Sequence, residues 1–182
     1  MKTHKIFIAT LLLFSLTAIS QITKGNWMVG GNAKFTYSEY SNTNGTDSHQ
    51  GNVLGISPNL GFFLKDKFVI GLVITISHNH QNGVSSSGFA YGGGTFVRYY
   101  FLKPEKPINI FIEANYGYYT GSDSKSFNNI YGFKGGTVFF FNSSVGLEFL
   151  INYNKLFSKY VNDSYNFKEV SVGLGLQIHL EK

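Results

Sequence analysis

Large apolar side chains alternate with small or polar ones along most of the chain after position 25. In residues 68–77, Phe, Ile and Leu occupy one alternate set of positions, and Val, Gly, Thr and Ser occupy the other. Residues 170–180 repeat the pattern, with Val, Leu and Ile set against Ser, Gly, Gln and His. A period of two puts the two sets on opposite faces of a β-strand. Such a division is typical of a strand that lies between lipid and a narrow polar lumen.

The first 20 residues have the organisation of a secretory signal peptide. Lys2 and Lys5 precede an apolar run at residues 6–16, and small residues follow at 18–20. The apolar run has only about half of the roughly 20 residues that a membrane-spanning helix needs. We therefore predict export of the chain, removal of residues 1–20, and a single barrel domain formed by residues 21–182.

The composition narrows the class of protein. The chain has no cysteine, so neither disulfides nor a lipoprotein anchor can hold it. The formal charge of +5 falls to +3 once Lys2 and Lys5 are removed, which does not indicate a nucleic-acid partner. The 21 glycines and 17% aromatic residues instead favour a barrel, where Gly relieves crowding in the lumen and aromatic rings lie at the membrane interfaces.

The alternating segments predict eight strands, and both chain ends then lie on the same, periplasmic side. The predicted strands cover residues 27–38, 53–64, 68–78, 91–102, 108–119, 137–150, 155–161 and 167–180. Short turns are expected at 65–67, 104–107 and 152–154, and longer loops at 39–51, 79–88 and 120–135. Pro58 falls inside the second strand, where a missing N–H predicts a bulge.

Three segments carry a family resemblance: FVRYYF at 96–101, VGLEFLIN at 145–152 and VSVGLGLQIHL at 170–180. They resemble the small outer-membrane β-barrels of Gram-negative bacteria, the OmpX/OmpA-like family. The resemblance implies an all-β, eight-stranded antiparallel up-and-down transmembrane barrel in the outer membrane, in contact with its lipid and inserted by the assembly machinery. It implies no single activity, because the family includes adhesins, structural proteins and a few lipid-modifying enzymes. Many members end on an aromatic residue, whereas this chain ends with Leu-Glu-Lys at 180–182.

Several charged residues fall on the inward face of the predicted strands. They are Lys34, Arg98, Glu113, Glu148, Lys159 and Glu169. A symmetric turn at 104–107 places Arg98 opposite Glu113, and a turn at 152–154 places Glu148 opposite Lys159. Buried charges require partners, and side chains just fill an eight-stranded lumen. We therefore expect structural charge pairs that plug the lumen, with an ion pathway as the alternative.

The histidines suggest chemistry only weakly. His78 and His80 share one strand face, and with His49 and Asp47 on the neighbouring loop they could bind Zn²⁺ or Cu²⁺. A solvated polar rim explains the same residues. Lipid A deacylases with this fold use a His-x-Ser spacing, and no Ser stands two positions after any of these histidines. We therefore predict no catalytic residue, no cofactor and no metal.

A soluble alternative comes from Gly-Asn-Trp at 25–27, which resembles the Gly-x-Trp of lipocalins, eight-stranded barrels that bind a small apolar ligand. In a soluble barrel of this kind the non-apolar face of each strand would be the exterior, yet that face of this chain carries few of the charges expected in water. The sequence therefore predicts a non-catalytic outer-membrane barrel that acts structurally or as a scaffold for surface interaction or adhesion. The loops at 39–51, 79–88 and 120–135 would contact an extracellular protein or another surface ligand. A narrow pore and a lipid-modifying enzyme remain alternatives.

Overall fold

The computed structural model describes residues 22–41, 48–81, 88–121, 127–159 and 164–181, and these residues form a closed β-barrel. The strands are β1 (Trp27–Ser41), β2 (Ser48–Lys65), β3 (Phe68–Gln81), β4 (Gly88–Tyr100), β5 (Ile108–Gly121), β6 (Phe127–Phe140), β7 (Val145–Lys159) and β8 (Ser164–Leu180). Each strand pairs antiparallel with the next, and β8 pairs with β1. The predicted all-β, eight-stranded antiparallel barrel is confirmed. The predicted signal peptide at residues 1–20 lies outside the described residues.

The outer surface of the barrel is apolar along all eight strands. Leu54, Leu72 and Ile151 each expose 60% or more of their side-chain area, and they are typical of the outward positions. Water does not tolerate so large a continuous apolar face, whereas lipid does. The barrel therefore spans a membrane with its strands. In the described part of the chain, no helix is long and apolar enough to cross one.

Exposed aromatic rings lie at two levels on this surface. One group includes Trp27, Tyr99, Phe101, Phe139 and Phe141, and the other includes Phe35, Phe89, Tyr91, Tyr118, Tyr131 and Phe133. Two aromatic girdles that flank an aliphatic band are typical of the two membrane–water interfaces. The first girdle lies at the end of the barrel where the described chain begins and ends, which we call the near end. The second girdle lies toward the opposite end, the far end.

The strands are longer than a membrane requires, and the extra length lies at the far end. They contain 13 to 18 residues, whereas about 9 to 11 tilted residues cross a bilayer. The near-end girdle starts with the first residue of β1, Trp27, so little strand extends beyond the membrane there. The barrel wall therefore continues past the membrane at the far end.

The prediction of the sixth and seventh strands was wrong. The turn predicted at 152–154 lies inside β7, and the real turn covers residues 141–144. Asn142 stabilises that turn because its side-chain Oδ1 accepts hydrogen bonds from the backbone N–H groups of Ser144 and Val145, each at 2.8 Å. An Asn side chain of this kind can replace a backbone acceptor in a turn.

The predicted loops were also too long. Most of the loop predicted at 120–135 is β6, and the strands on either side extend into the other two predicted loops. Residues 42–47, 82–87, 122–126 and 160–163 connect the strands at the far end and lie outside the described residues. The sequence predicts loops at the far strand ends because Gly, Ser and Asn occupy their inward positions, which face a polar lumen.

Two local irregularities affect the wall. The β2–β3 register is the same before and after Pro58, with Ile56 opposite Ile76 and Asn59 opposite Val73, so the predicted bulge is absent there. The register instead shifts between Phe63 and Lys65. A second irregularity is the closing seam, because β1 and β8 pair only from Trp27–Leu180 to Phe35–Val172. Residues 36–41 of β1 and 164–171 of β8 continue as strands without pairing with each other.

Candidate functional site in the barrel lumen

Apolar side chains fill the near half of the lumen. The buried cluster contains Ile22, Met28, Phe63, Val69, Phe96, Tyr100, Phe111, Val138, Phe140 and Leu150. The segment before β1 folds across the near end: the Ile22 carbonyl accepts a hydrogen bond from the Lys67 N–H at 2.9 Å, and Gly25 N–H donates to the Phe63 carbonyl at 2.9 Å. Gly25 has a φ of +92°, a conformation that glycine adopts readily. These hydrogen bonds hold the Ile22 side chain in the apolar cluster at the near end of the lumen.

An ionic layer centred on Arg98 lies against this apolar cluster. Arg98 Nη2 is 2.8 Å from Glu113 Oε2, and Arg98 Nη1 forms an ion pair with Glu148 Oε1. Nη1 also donates to the Tyr100 hydroxyl at 3.1 Å. The guanidinium carbon lies 4.3 Å from the centroid of the Phe111 ring. Arginine suits this position because its planar group can bind two carboxylates and stack on an aromatic face at once.

Two further residues complete the layer. Lys134 Nζ is 2.7 Å from Glu113 Oε1, and Gln177 Nε2 donates to Glu148 Oε2 at 3.3 Å. Two cations thus face two carboxylates, and their formal charges cancel. Charges removed from water are tolerated when they are paired and hydrogen-bonded in this way.

The structure supports one predicted pair and corrects the other. Arg98 lies directly opposite Glu113 on the neighbouring strand, as the turn at 104–107 predicted. The pairing of Glu148 with Lys159 was wrong, because both residues belong to β7 and Glu148 contacts Arg98 instead. The side chain of Lys159 lies outside the described residues.

The sequence does not predict Lys134 as a lumen residue, because the pattern at residues 120–135 predicts a loop. Its signal was present in the sequence, since large apolar side chains at Tyr131, Phe133 and Phe139 mark the same alternate positions of one strand. Lys134 falls between them, on the inward face. Ile22 was missed for a different reason, because it precedes the first alternating segment and no periodicity marks it.

A second ion pair bridges β1 and β8 in the far half of the lumen. Lys34 Nζ lies 2.7 Å from Glu169 Oε1, and both side chains keep a small exposure, 17% and 12%. The sequence placed both residues inward without assigning them to each other. Gly55 leaves room for the lysine, because a Cβ atom at Gly55 would lie 3.3 Å from Lys34 Cε. Asn154 Nδ2 donates to the same Glu169 oxygen at 3.4 Å.

The far half also contains a cavity of about 170 Å³. Its polar lining includes Asn32, Lys34, Ser57, Thr75, Asn115, Tyr119, Asn152, Asn154 and Glu169. Small residues at Ala90, Gly94 and Gly117 create the space, because they line the same cavity and contribute little or no side chain. A glycine at an inward strand position commonly marks such open space or a close approach of backbone.

The histidines form no metal site within the described residues. The His78 ring packs 4.7 Å from the Phe89 ring on the outer surface, whereas the side chains of His49 and His80 lie outside the described residues. No group of three His, Asp or Glu side chains in the described ranges could hold a metal ion. His179 is fully buried near the rings of Phe63 and Phe140, with centroid distances of 5.5 and 5.4 Å.

Comparison with solved structures identifies the fold. Neisserial surface protein A (NspA) is 17% identical with a TM-score of 0.59, and the match covers 85% of this chain and 97% of that one. The outer-membrane protein OprG from Pseudomonas aeruginosa is 11% identical with a TM-score of 0.57, covering 90% and 100%. The N-terminal β-barrel domain of Pseudomonas aeruginosa OprF is 11% identical with a TM-score of 0.52, covering 86% and 98%.

The chain therefore has the fold of the small eight-stranded outer-membrane β-barrels, which confirms at the level of fold the resemblance carried by its strands. No family model and no curated protein matches the sequence. The fold and the apolar outer surface define a membrane-spanning barrel of the outer-membrane type.

Proposed function

We propose that this protein is a closed, non-catalytic barrel of the outer membrane that presents a rigid scaffold at the cell surface. The observation that carries the proposal is the packed near half of the lumen, where Ile22 and the aromatic cluster lie beneath the Arg98 ionic layer. An eight-stranded barrel has an interior just wide enough for its own side chains. A continuous water-filled path would have to displace several of these fully buried groups.

The charges of the lumen support a structural role. Glu113 and Glu148 are the carboxylates best placed for acid–base chemistry, yet both are bound to Arg98 and nearly inaccessible. A catalytic group must reach a substrate proton at hydrogen-bond distance. The packing around these carboxylates leaves no space for a substrate, which favours a non-catalytic role over a lipid-modifying enzyme.

The far end is the part that we assign to surface interaction. With the near end toward the periplasm, as both chain ends on one side suggest, the extended strand ends would protrude outward. They would hold the connections at 42–47, 82–87, 122–126 and 160–163 on a rigid wall. A partner there would be an extracellular protein or another surface ligand, and β8 would be the strand that the assembly machinery recognises.

Conductance tests the closed lumen. In planar bilayers the protein should give no large, steady single-channel current. A triple variant Ile22→Ala, Phe63→Ala, Phe140→Ala removes part of the near-end apolar packing but keeps the Arg98 layer, so it should also give no steady current when its heat-modifiable gel mobility shows a folded barrel. Steady currents from the unaltered protein would favour the narrow-pore alternative and contradict the proposal.

Location and surface interaction need separate experiments. Mass spectrometry of the protein from outer-membrane fractions should find Gln21 as its first residue, whereas recovery from the soluble periplasm would favour the lipocalin-like alternative. Replacing residues 42–47, Asn-Thr-Asn-Gly-Thr-Asp, by Gly and Ser should leave the barrel folded and weaken binding to cells or matrix. Unchanged binding after replacement of all four far-end connections would contradict the scaffold role.

A further inference from the structure

We infer that the cavity in the far half of the lumen is a binding site for a small, uncharged, polyhydroxylated molecule such as a monosaccharide or glycerol. The inference goes beyond the scaffold role, because it concerns the interior of the barrel rather than its surface. It rests on three observations: unpartnered amide atoms, a lining without net charge available to a ligand, and a route of access.

The first observation is a set of buried amides with unused hydrogen-bonding atoms. Asn32, Asn115 and Asn152 line the cavity, and their atoms Asn32 Nδ2, Asn115 Nδ2 and Asn152 Oδ1 are buried without a hydrogen-bond partner in the protein. Asn32 is only 7% exposed and Asn152 only 2%. Nearly all buried polar groups in folded proteins are hydrogen-bonded, so unused atoms of this kind indicate water or a ligand.

The arrangement of these atoms favours hydroxyl groups. The side chains of these three residues line the same cavity, and a hydroxyl can both donate to and accept from an amide. At roughly 30 Å³ per water molecule, the cavity of about 170 Å³ has room for five or six waters. A compact polyol that reproduces the hydrogen bonds of those waters would bind by displacing them.

The charges of the lining exclude a strong preference for ions. Lys34 is paired with Glu169 at 2.7 Å, and Lys134 is paired with Glu113 at 2.7 Å. A charged ligand would have to break one of these pairs and leave a poorly solvated partner. A neutral ligand leaves both pairs intact.

We assign the access to the closing seam. β1 and β8 stop pairing at Phe35–Val172, and Lys34 and Glu169, which line the cavity, lie on either side of that point. The wall above it is formed by strand segments that do not pair with each other. The Arg98 layer lies beneath, so the site is a blind pocket that binds without conducting.

The test is a titration of the protein, folded in detergent micelles, with glycerol, D-ribose and D-glucose. The side-chain amide signals of Asn32, Asn115 and Asn152 in nitrogen-15 NMR spectra should shift in a saturable way with at least one of these probes. Ala90→Leu fills the cavity and should abolish the shifts, with Ser77→Leu as the second variant if the first does not fold. The matched control is Ala33→Leu, which adds the same atoms on the lipid-facing side and should leave binding unchanged.

Asn32→Ala separates binding from stability. The amide has an unused donor, so its removal should weaken binding by about 2- to 10-fold, as expected for one hydrogen bond, and the urea midpoint of unfolding, measured alongside, separates this loss from any change in stability. The inference is overturned if none of the three polyols shifts the amide signals, which would mean that the cavity holds water only. It is also overturned if glycine or inorganic phosphate binds more tightly than every polyol, or if Ala90→Leu binds as well as Ala33→Leu.

Discussion

The two halves of the lumen are packed differently, the near half with large side chains and the far half with small polar ones. In the near half, large side chains such as Phe63, Tyr100 and Phe111 meet, and Arg98 is fully enclosed. In the far half, glycine and short polar residues line the wall, a cavity remains, and the Lys34–Glu169 pair keeps some exposure to solvent. Closed packing of large side chains favours stability, whereas the open polar packing leaves the space that the proposed ligand would occupy. On the functions proposed above, the stability of the protein is concentrated near one end and recognition near the other.

The largest expected effect comes from the centre of the near half. Arg98→Ala removes the cation from two buried carboxylates and should destabilise the barrel by about 3–5 kcal/mol. Urea unfolding in lipid vesicles, followed by the fluorescence of Trp27, the chain's one tryptophan, measures the loss. The double variant Arg98→Met, Glu148→Gln restores the charge balance while Glu113 keeps Lys134, and it should recover most of the stability. A single variant as stable as the unaltered protein would show that the ionic layer is well solvated.

A matched pair of leucines on β7 compares the halves directly. Leu150 is 3% exposed within the near cluster, and Leu156 lines the far cavity on the same face of the same strand. Leu150→Ala should cost about 2–5 kcal/mol, because it leaves a void in close packing. Leu156→Ala should cost about 1 kcal/mol or less, because it only enlarges an existing cavity. If both variants lost the same free energy of unfolding in the urea assay, the near and far halves would not differ in packing density.

This distinction also explains how far the sequence could predict the fold. The sequence predicts near-half strands well where large apolar residues alternate clearly, as in segments 68–77 and 170–180, but it misses the near-end turn at residues 141–144 between β6 and β7. It predicts loops at far strand ends such as residues 127–136, because their inward positions carry Asn, Gly and Lys and the alternation is weaker there. The features that make the far half a candidate binding site therefore also conceal its strands.

The two ion pairs of the lumen also differ in how well the sequence predicts them. The Arg98–Glu113 pair could be predicted because a short turn with two prolines fixes the register between β4 and β5. The Lys34–Glu169 pair could not, because the two residues are far apart in the chain and meet only when the barrel closes. Pairing across that closure depends on the stagger of the sheet, which sequence periodicity does not specify.

The far ion pair should contribute less than the near one. Lys34→Met should destabilise the barrel by about 1–2 kcal/mol, because both partners retain some solvent and Glu169 keeps contacts with Asn154 and Ser171 at 3.4 Å. Raising the salt concentration should shrink this loss, since screening acts on partly exposed charges, and should leave the Arg98→Ala loss nearly unchanged. A salt response of the same size for both variants would place the two pairs in similar surroundings.

The smallest expected effect lies on the outside of the far half, where β7 and β8 place two lysines directly opposite each other. Lys155 and Lys168 are register partners; Lys168 is exposed, and Lys155 Nζ lies 4.6 Å from the Phe157 ring centroid. Like charges opposite each other on neighbouring strands are destabilising. Lys168→Glu should therefore stabilise the barrel by about 0.2–1 kcal/mol in vesicles of zwitterionic lipid. Vesicles with anionic lipid should diminish or reverse the gain, because basic residues at the membrane surface attract anionic headgroups. A loss of stability in zwitterionic lipid would show that Lys168 has a carboxylate partner. The charge of Lys168 would then be compensated, although its register partner is another lysine.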